Sequence, residues 1–226
     1  MMDQYRRIRR DLPADAILFF RLGDFYEMFF DDAQTAAPIL DIALTKRQTM
    51  PMCGVPYHSA ELYIAKLIRA GKKVAICEQM EDPSATKGIV RREVTRVITP
   101  GTVLEDHVLE SKKNNYLAGL VQAENGYGLA FLDLSTGAFW LEESASASAV
   151  EENLSRYAPS ECVVPFERRD DPAFRGFFHA GSTTVLTGHD DWTFETEAAA
   201  DLLTRHFKVH SLDGFGLRDC PLGLRA

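Results

Sequence analysis

The stretch AILFFRLGDFYEMFF, residues 16–30, decides how the first half of this chain folds. Its opening seven residues, AILFFRL, form a near-continuous apolar run that stops at Gly23-Asp24. A run of that length bounded by a turn predicts a strand buried on both faces. Beyond the turn two readings stay open. If the chain continues extended, Phe25 and Glu27 project from one face and Tyr26 from the other. If a helix starts there, Phe25, Met28 and Phe29 form its buried stripe and Glu27 is solvated. Taken alone, the string favours the helix start, and residues 28–40 can carry a helix with Met28, Phe29, Ala33, Ala36, Ala37 and Leu40 inward. Pro38 leaves the end of that helix open.

Working outward, residues 2–10 read as a short helix and IALTKR (42–47) as a strand. PMCGVPYH (51–58) reads as a proline-punctuated loop. Ser59 is suited to cap a helix with Leu62, Ile64, Ala65, Leu67 and Ile68 on its apolar side, and Gly71 to stop it. KVAICEQM (73–80) and REVTRVIT (92–99) then predict strands separated by the polar loop EDPSATKGI. This order predicts a compact N-terminal α/β domain, a mixed sheet flanked by helices, over residues 1–104. Residues 105–115 are polar, weakly patterned and read as a linker. Residues 116–226 open with a three-stranded meander, YLAGLVQAE, YGLAFLDL and AFWLEE, whose strongest turn signal is Asn125-Gly126. Helix 146–157, strand CVVPF, helix 170–179, strand TTVLT and helix 194–207 follow, with SASASA (144–149) a flexible approach to the first of these helices. Three antiparallel strands followed by αβαβα is the order of a ribonuclease-H-like fold.

The chain has 226 residues and a net charge of −8, unevenly divided. Residues 1–103 hold 15 Lys and Arg against 13 Asp and Glu, while residues 104–226 hold 10 against 20. The acidity therefore belongs to the second part, and the first is too nearly neutral for bulk attraction to nucleic acid. Its basic residues are grouped, however: Arg6/Arg7/Arg9/Arg10, Lys46/Arg47, Lys72/Lys73 and Lys87/Arg91/Arg92/Arg96. Grouping permits a local phosphate-facing patch. No apolar run approaches the ~20 residues of a membrane span, and the arginine-rich start lacks the apolar core of a secretory signal. Cys53, Cys77, Cys162 and Cys220 are scattered without metal-ligand spacing, so free thiols in a cytoplasmic protein are expected. There is no G-x-x-x-x-G-K-[ST], and Gly71-Lys72 follows a helix instead of opening one. Neither a catalytic residue nor a metal site is expected.

Four segments carry a family resemblance: MMDQYRRIR, ILFFRLGDFYEMFFDDA, LDIALTKR with PMCGVPYHSAELYIAKLI, and VAICEQMEDPSATKGIVRREVTRVITPGT. In order and spacing they resemble the N-terminal part of the bacterial MutS family of DNA mismatch-repair proteins. The likeness is specific over residues 1–102 and continues more weakly through LDLSTGAF and GFG. It implies a mismatch-recognition domain followed by a connector domain that is incomplete at its C-terminal end. Mismatched double-stranded DNA would be the partner of the first domain and a MutL-like protein that of the second. ATP, Mg²⁺ and a homodimer would belong only to a longer protein, and no cofactor to this chain.

The resemblance maps the family's mismatch-reading Phe-x-Glu onto Phe25 and Glu27, with Tyr26 between them. A ring in that position wedges into a base stack from the minor groove, and the carboxylate hydrogen-bonds the displaced base. Phosphates repel a carboxylate, so Glu27 is tolerated only where it accepts a base N–H or, protonated, donates to an acceptor such as N7. Fully paired DNA is thereby penalised. Lys46, Arg47, Met52 and Gly54 are expected to support this contact, with Gly54 permitting close backbone approach, and Arg92 and Arg96 to meet phosphates. The short link Gln48-Thr49 departs from many relatives and bears on where Arg47 is placed. Two rival classes remain. A metal-dependent nuclease would use Asp133 with Glu195, Glu197 or Asp201, and an interaction-only module would bind protein alone. His58 reads as a turn residue, and Asp24 as fixing the turn before Phe25 through an Asx-type hydrogen bond.

Overall fold

The computed structural model describes residues 1–81, 88, 90–103, 114–179 and 181–226, except the side chain of Arg218. It divides into two compact units, residues 1–111 and 112–226.

The first unit is a six-stranded mixed sheet. Its strands are β1 (Ala16–Leu22), β2 (Phe25–Phe29), β3 (Thr45–Arg47), β4 (Met50–Pro56), β5 (Lys73–Gln79) and β6 (Arg92–Ile98). They lie in the order β3-β4-β2-β1-β5-β6, with β1 and β5 parallel and the other pairs antiparallel. Helices α2 (Phe30–Leu40) and α3 (Ala60–Arg69) cover one face. There Ile17, Phe19, Tyr26, Met28, Cys53, Val55, Val74 and Ile76 pack with Ala33, Ala36, Leu40, Ile64 and Leu67. Helix α1 (Met2–Arg10) covers part of the other, where Tyr5 packs among Leu18, Phe20, Phe29, Ala75 and Cys77. The AILFFRL run is apolar throughout because alternate residues feed these two cores.

Several expectations need correction. The chain stays extended through Phe29, and the helix begins at Phe30 instead of residue 28. Hydrogen bonding to strands on both sides holds β2 extended, and tertiary pairing overrides a local helix preference. Residues 50–56, expected as a loop, are strand β4. Its prolines are tolerated because Pro51 lies where only β3 pairs with it and Pro56 where only β2 does, so each has a side that needs no donor. IALTKR shortens to β3. Ser59 precedes α3, but its hydroxyl donates to the Pro56 carbonyl and does not cap the helix. Leu62, expected inside, is exposed. Gly71 does end α3, at φ 72°, with its N–H bonded to Ile68 O. Most of the loop EDPSATKGI, including Lys87, and most of the expected linker lie outside the described residues.

The second unit is a five-stranded sheet in the order β11-β10-β7-β8-β9. Its strands are β7 (Tyr116–Ala123), β8 (Gly126–Asp133), β9 (Ala138–Ser144), β10 (Glu161–Pro165) and β11 (Val185–His189). The meander β7-β8-β9 is antiparallel, and β10 and β11 extend it in parallel from β7. This is the mixed sheet expected of a ribonuclease-H-like unit. Its hairpin turn is Glu124-Asn125, one residue early, because Gly126 already pairs with Ala123. Helices α4 (Ala147–Tyr157) and α5 (Pro172–Gly176) pack Val150, Leu154 and Phe174 on one core with Leu120, Leu129 and Phe131. SASASA is not a flexible approach, since its last three residues form the first turn of α4. The helix expected at 170–179 contracts to α5, begun by Pro172 and capped by Asp171 Oδ1, which accepts from Ala173 N at 2.9 Å. On the other face α7 (Pro221–Arg225) packs on β7, β8 and β9, and α6 (Thr196–Phe207) contacts α7. Gly128 is required there, because a Cβ at that position would stand 1.9 Å from Leu222 O.

Candidate nucleic-acid interface

The tight turn Gly23-Asp24 joins β1 to β2, with Gly23 at φ 58°. The Asx-type bond expected of Asp24 is not found among the described residues; its carbonyl instead accepts from Tyr57 N at 2.9 Å, and Gly23 N donates to Gln79 Oε1 at 3.0 Å. From there the two-residue period of β2 sorts its side chains. Tyr26 and Met28 enter the core beneath α2 and α3, while Phe25, Glu27 and Phe29 face the side that α1 partly covers. Phe29 lies under Tyr5 and is fully buried. Phe25, four residues away on the same face, is 47% exposed.

Phe25 and Glu27 line a hollow of about 340 Å³ with Met52, Gly54, Thr45, Ile42 and Ala43. Gly54 is the register partner of Glu27, and a Cβ there would come within 3.3 Å of Tyr26 O and 3.5 Å of Glu27 Cγ. The tighter of these contacts is with the Tyr26 main-chain oxygen, so a side chain there would press on β2. Arg47 ends β3 on this same face, and its Nη1 donates to Glu27 Oε2 at 3.0 Å. The short Gln48-Thr49 link forms a two-residue hairpin with Gln48 at φ 56°, which keeps Arg47 beside the hollow.

Other expected contacts are not brought here. Tyr26 is buried, stacks near Phe19 and donates its hydroxyl to Glu78. Burial, together with the Glu78 bond, pushes the phenol up to about 12. It is a core residue whose hydroxyl is engaged within the fold. Lys46 falls on the opposite face of β3 by strand alternation. Arg92 is only 7% exposed and packs against the Phe20 ring. Its guanidinium donates to Arg21 O at 2.7 Å, Val90 O at 2.9 Å and Gln4 Oε1 at 3.2 Å. It therefore clamps the edge of the sheet and is not presented to phosphate. Arg96 is exposed on β6, at the far side of the sheet from β3. A bulge between its partner Ile76 and Cys77 turns it to the face opposite Arg92, so the two do not form one patch. The N-terminal arginines are likewise partly engaged: Arg9 binds Asp32, Pro13 O and Ala14 O. Lys73 pairs with Asp15 at 3.0 Å.

Thr45, Ile42 and Ala43 were not anticipated as lining residues. The two-residue period of TKR carries the signal for Thr45, since it shares a face with Arg47. Tyr57 was also missed; it is exposed, follows the register partner of Phe25 and lies 3.6 Å beneath the Arg21 guanidinium.

In the second unit, Asp133 is buried and both its oxygens are used within its own turn. Oδ1 accepts from Ser135 N at 2.9 Å and Ser135 Oγ at 2.7 Å, and Oδ2 from Thr136 Oγ1 at 2.9 Å. Burial raises this carboxyl, but the Ser135 and Thr136 bonds more than offset it and hold it below the usual range. Glu195, Glu197 and Asp201 are exposed around the start of α6. Among the described residues no three His, Cys, Asp or Glu side chains form a group able to hold a metal, and no helix is long and apolar enough to cross a membrane.

Residues 1–107 match the family model for MutS domain I, and residues 115–226 that for MutS domain II. DNA mismatch repair protein MutS of Syntrophomonas wolfei is 46% identical over the whole chain, that of Syntrophobacter fumaroxidans 49% and that of Myxococcus xanthus 48%. The chain spans about a quarter of the length of these relatives, 26–27%.

Proposed function

This chain belongs to the MutS family of DNA mismatch-repair proteins, and from that premise we propose that its first unit binds mismatched DNA by wedging Phe25 into the base stack. The carrying observation is the half-exposed Phe25 ring on a strand whose next residue is buried. An aromatic ring left at the lip of a hollow beside a carboxylate is available for stacking. Phe25 enters from the minor groove and stacks on a mispaired or unpaired base. Opening a base step costs a few kcal/mol, least where pairing is already defective. Selectivity follows from that difference in deformability and not from base sequence. Glu27 hydrogen-bonds the displaced base, and its charge disfavours intact duplex. Met52, Gly54 and Thr45 form the floor against which the opened step rests.

The second unit has the part of a protein-contact domain in this reading. Its acidity and its exposed Trp192, Leu202 and Phe215 suit a protein surface, here a MutL-like partner, better than DNA. ATP hydrolysis and dimerisation would reside in the remainder of a full-length MutS. The oxygens of Asp133 are bound within its own turn, which speaks against its use as a nuclease's metal ligand.

The test is binding of labelled matched and single-mismatch duplexes to the wild-type chain and to Phe25→Ala. Base–aromatic stacking is worth about 1–3 kcal/mol, so Phe25→Ala should lower mismatch affinity roughly tenfold and leave matched affinity nearly unchanged. Retention of the full mismatch preference without the ring would overturn the proposal.

A further inference from the structure

The ion pair between Arg47 and Glu27 has a geometry that local structure does not require. The two residues stand on β3 and β2, with β4 between them, and Arg47, whose register partner is Met50, reaches diagonally across β4 to a carboxylate whose partner is Gly54. The Arg47 side chain remains 46% exposed. Among the described residues its only hydrogen bond is the one from Nη1 to Glu27, which leaves its other guanidinium hydrogens open to a second acceptor. The Glu27 side chain is more covered, at 17%, so the Arg47 end is the one open to water and to exchange of partner.

We propose that this pair is an exchangeable latch that makes one phosphate contact conditional on finding a mismatch. The idea rests on the mismatch-binding reading above. Against intact duplex, no base is offered to Glu27. Releasing Arg47 to a phosphate would then leave the carboxylate uncompensated beside the DNA, so the pair stays closed. At a mismatch, the displaced base gives Glu27 a new hydrogen-bond donor, and Arg47 is freed to take a phosphate oxygen. No bond forms within the protein in this exchange; one ion pair is replaced by one base contact and one phosphate contact. Arg47 is thus a specificity-determining residue that acts through Glu27.

The consequence is a difference in salt dependence, which a merely structural arginine would not produce. Each phosphate contact contributes about −0.9 to the slope of log affinity against log salt. Affinities of this chain for matched and mismatched duplexes are to be measured over a salt series. Arg47→Gln should flatten the mismatch slope by about 0.9 and leave the matched slope alone. Between 50 and 200 mM salt, that contact alone corresponds to about a threefold change in affinity. Glu27→Gln should open the latch permanently, steepening the matched slope by about 0.9 and raising matched affinity. In that background Arg47→Gln should flatten both slopes. If Arg47→Gln alone flattens both slopes equally, Arg47 contacts phosphate unconditionally and the latch is refuted; if it changes neither, the pair is structural and the latch is again refuted. A wild-type mismatch preference that Phe25→Ala abolishes, alongside such slopes, would sink the latch alone. Absence of any Phe25-dependent preference would sink the reading beneath it.

Discussion

Phe25 and Phe29 are the two ends of one five-residue strand, the same residue type on the same face of the sheet, yet one is 47% exposed and the other fully buried. The difference comes from what lies above the strand. Helix α1 brings Tyr5 over Phe29 and Phe20, with ring centroids 5.1 and 5.3 Å away. A buried Asp32 ties this cover down, accepting from Tyr5 Oη, Leu18 N and Arg9 Nε. The cover stops short of Phe25. A single strand therefore serves the core at one end and carries an exposed ring at the other.

Carboxylates repeat the contrast. Asp133 satisfies both oxygens within three residues of itself, whereas Glu27 is matched by an arginine two strands away. The first is closed chemistry and the second exchangeable.

The comparison can be broken most severely at Phe29. Phe29→Ala should cost about 3–5 kcal/mol in chemical denaturation, and a loss under 1 kcal/mol would mean that the cover over Phe29 is loose. Next comes Asp133→Asn, expected to destabilise the second unit by roughly 1–3 kcal/mol through lost charge-assisted bonds. The folded-state pKa of Asp133 is depressed, so its contribution is present above the unfolded value and is lost as pH falls through the folded one. Wild-type stability should thus fall on acidification below about pH 4, and the variant should show a shallower acid limb in urea melts at stepped pH. The smallest effect is Phe25→Ala, whose melting curve should match wild type within about 0.5 kcal/mol. A large loss there would place that ring in the fold and not at an interface.

Much of this was legible in advance. AILFFRL announced a strand buried on both sides, and the meander, α1, α3 and the order of the second unit followed from periodicity and turn residues. The i, i+2 relation of Phe25 and Glu27 was likewise open to reading, but only as one of two alternatives. The helical alternative was locally better and failed because β4, written as a proline-rich loop, pairs along the whole length of β2. No local signal distinguishes a proline in a loop from one on the unpaired side of a strand. For the same reason Arg92 and Arg96 looked like one basic group, since the bulge that turns them to opposite faces leaves no mark in the residues themselves.

The amino-acid order alone determined where most turns fall and which family the chain resembles, the first from residues a few positions apart and the second from four segments spread over residues 1–102. Only the tertiary structure decided which alternating residues are covered, since that depends on where α1 ends over the sheet. It also decided that Arg47 answers Glu27, because two residues 20 positions apart acquire a shared charge environment only when β3, β4 and β2 are laid side by side.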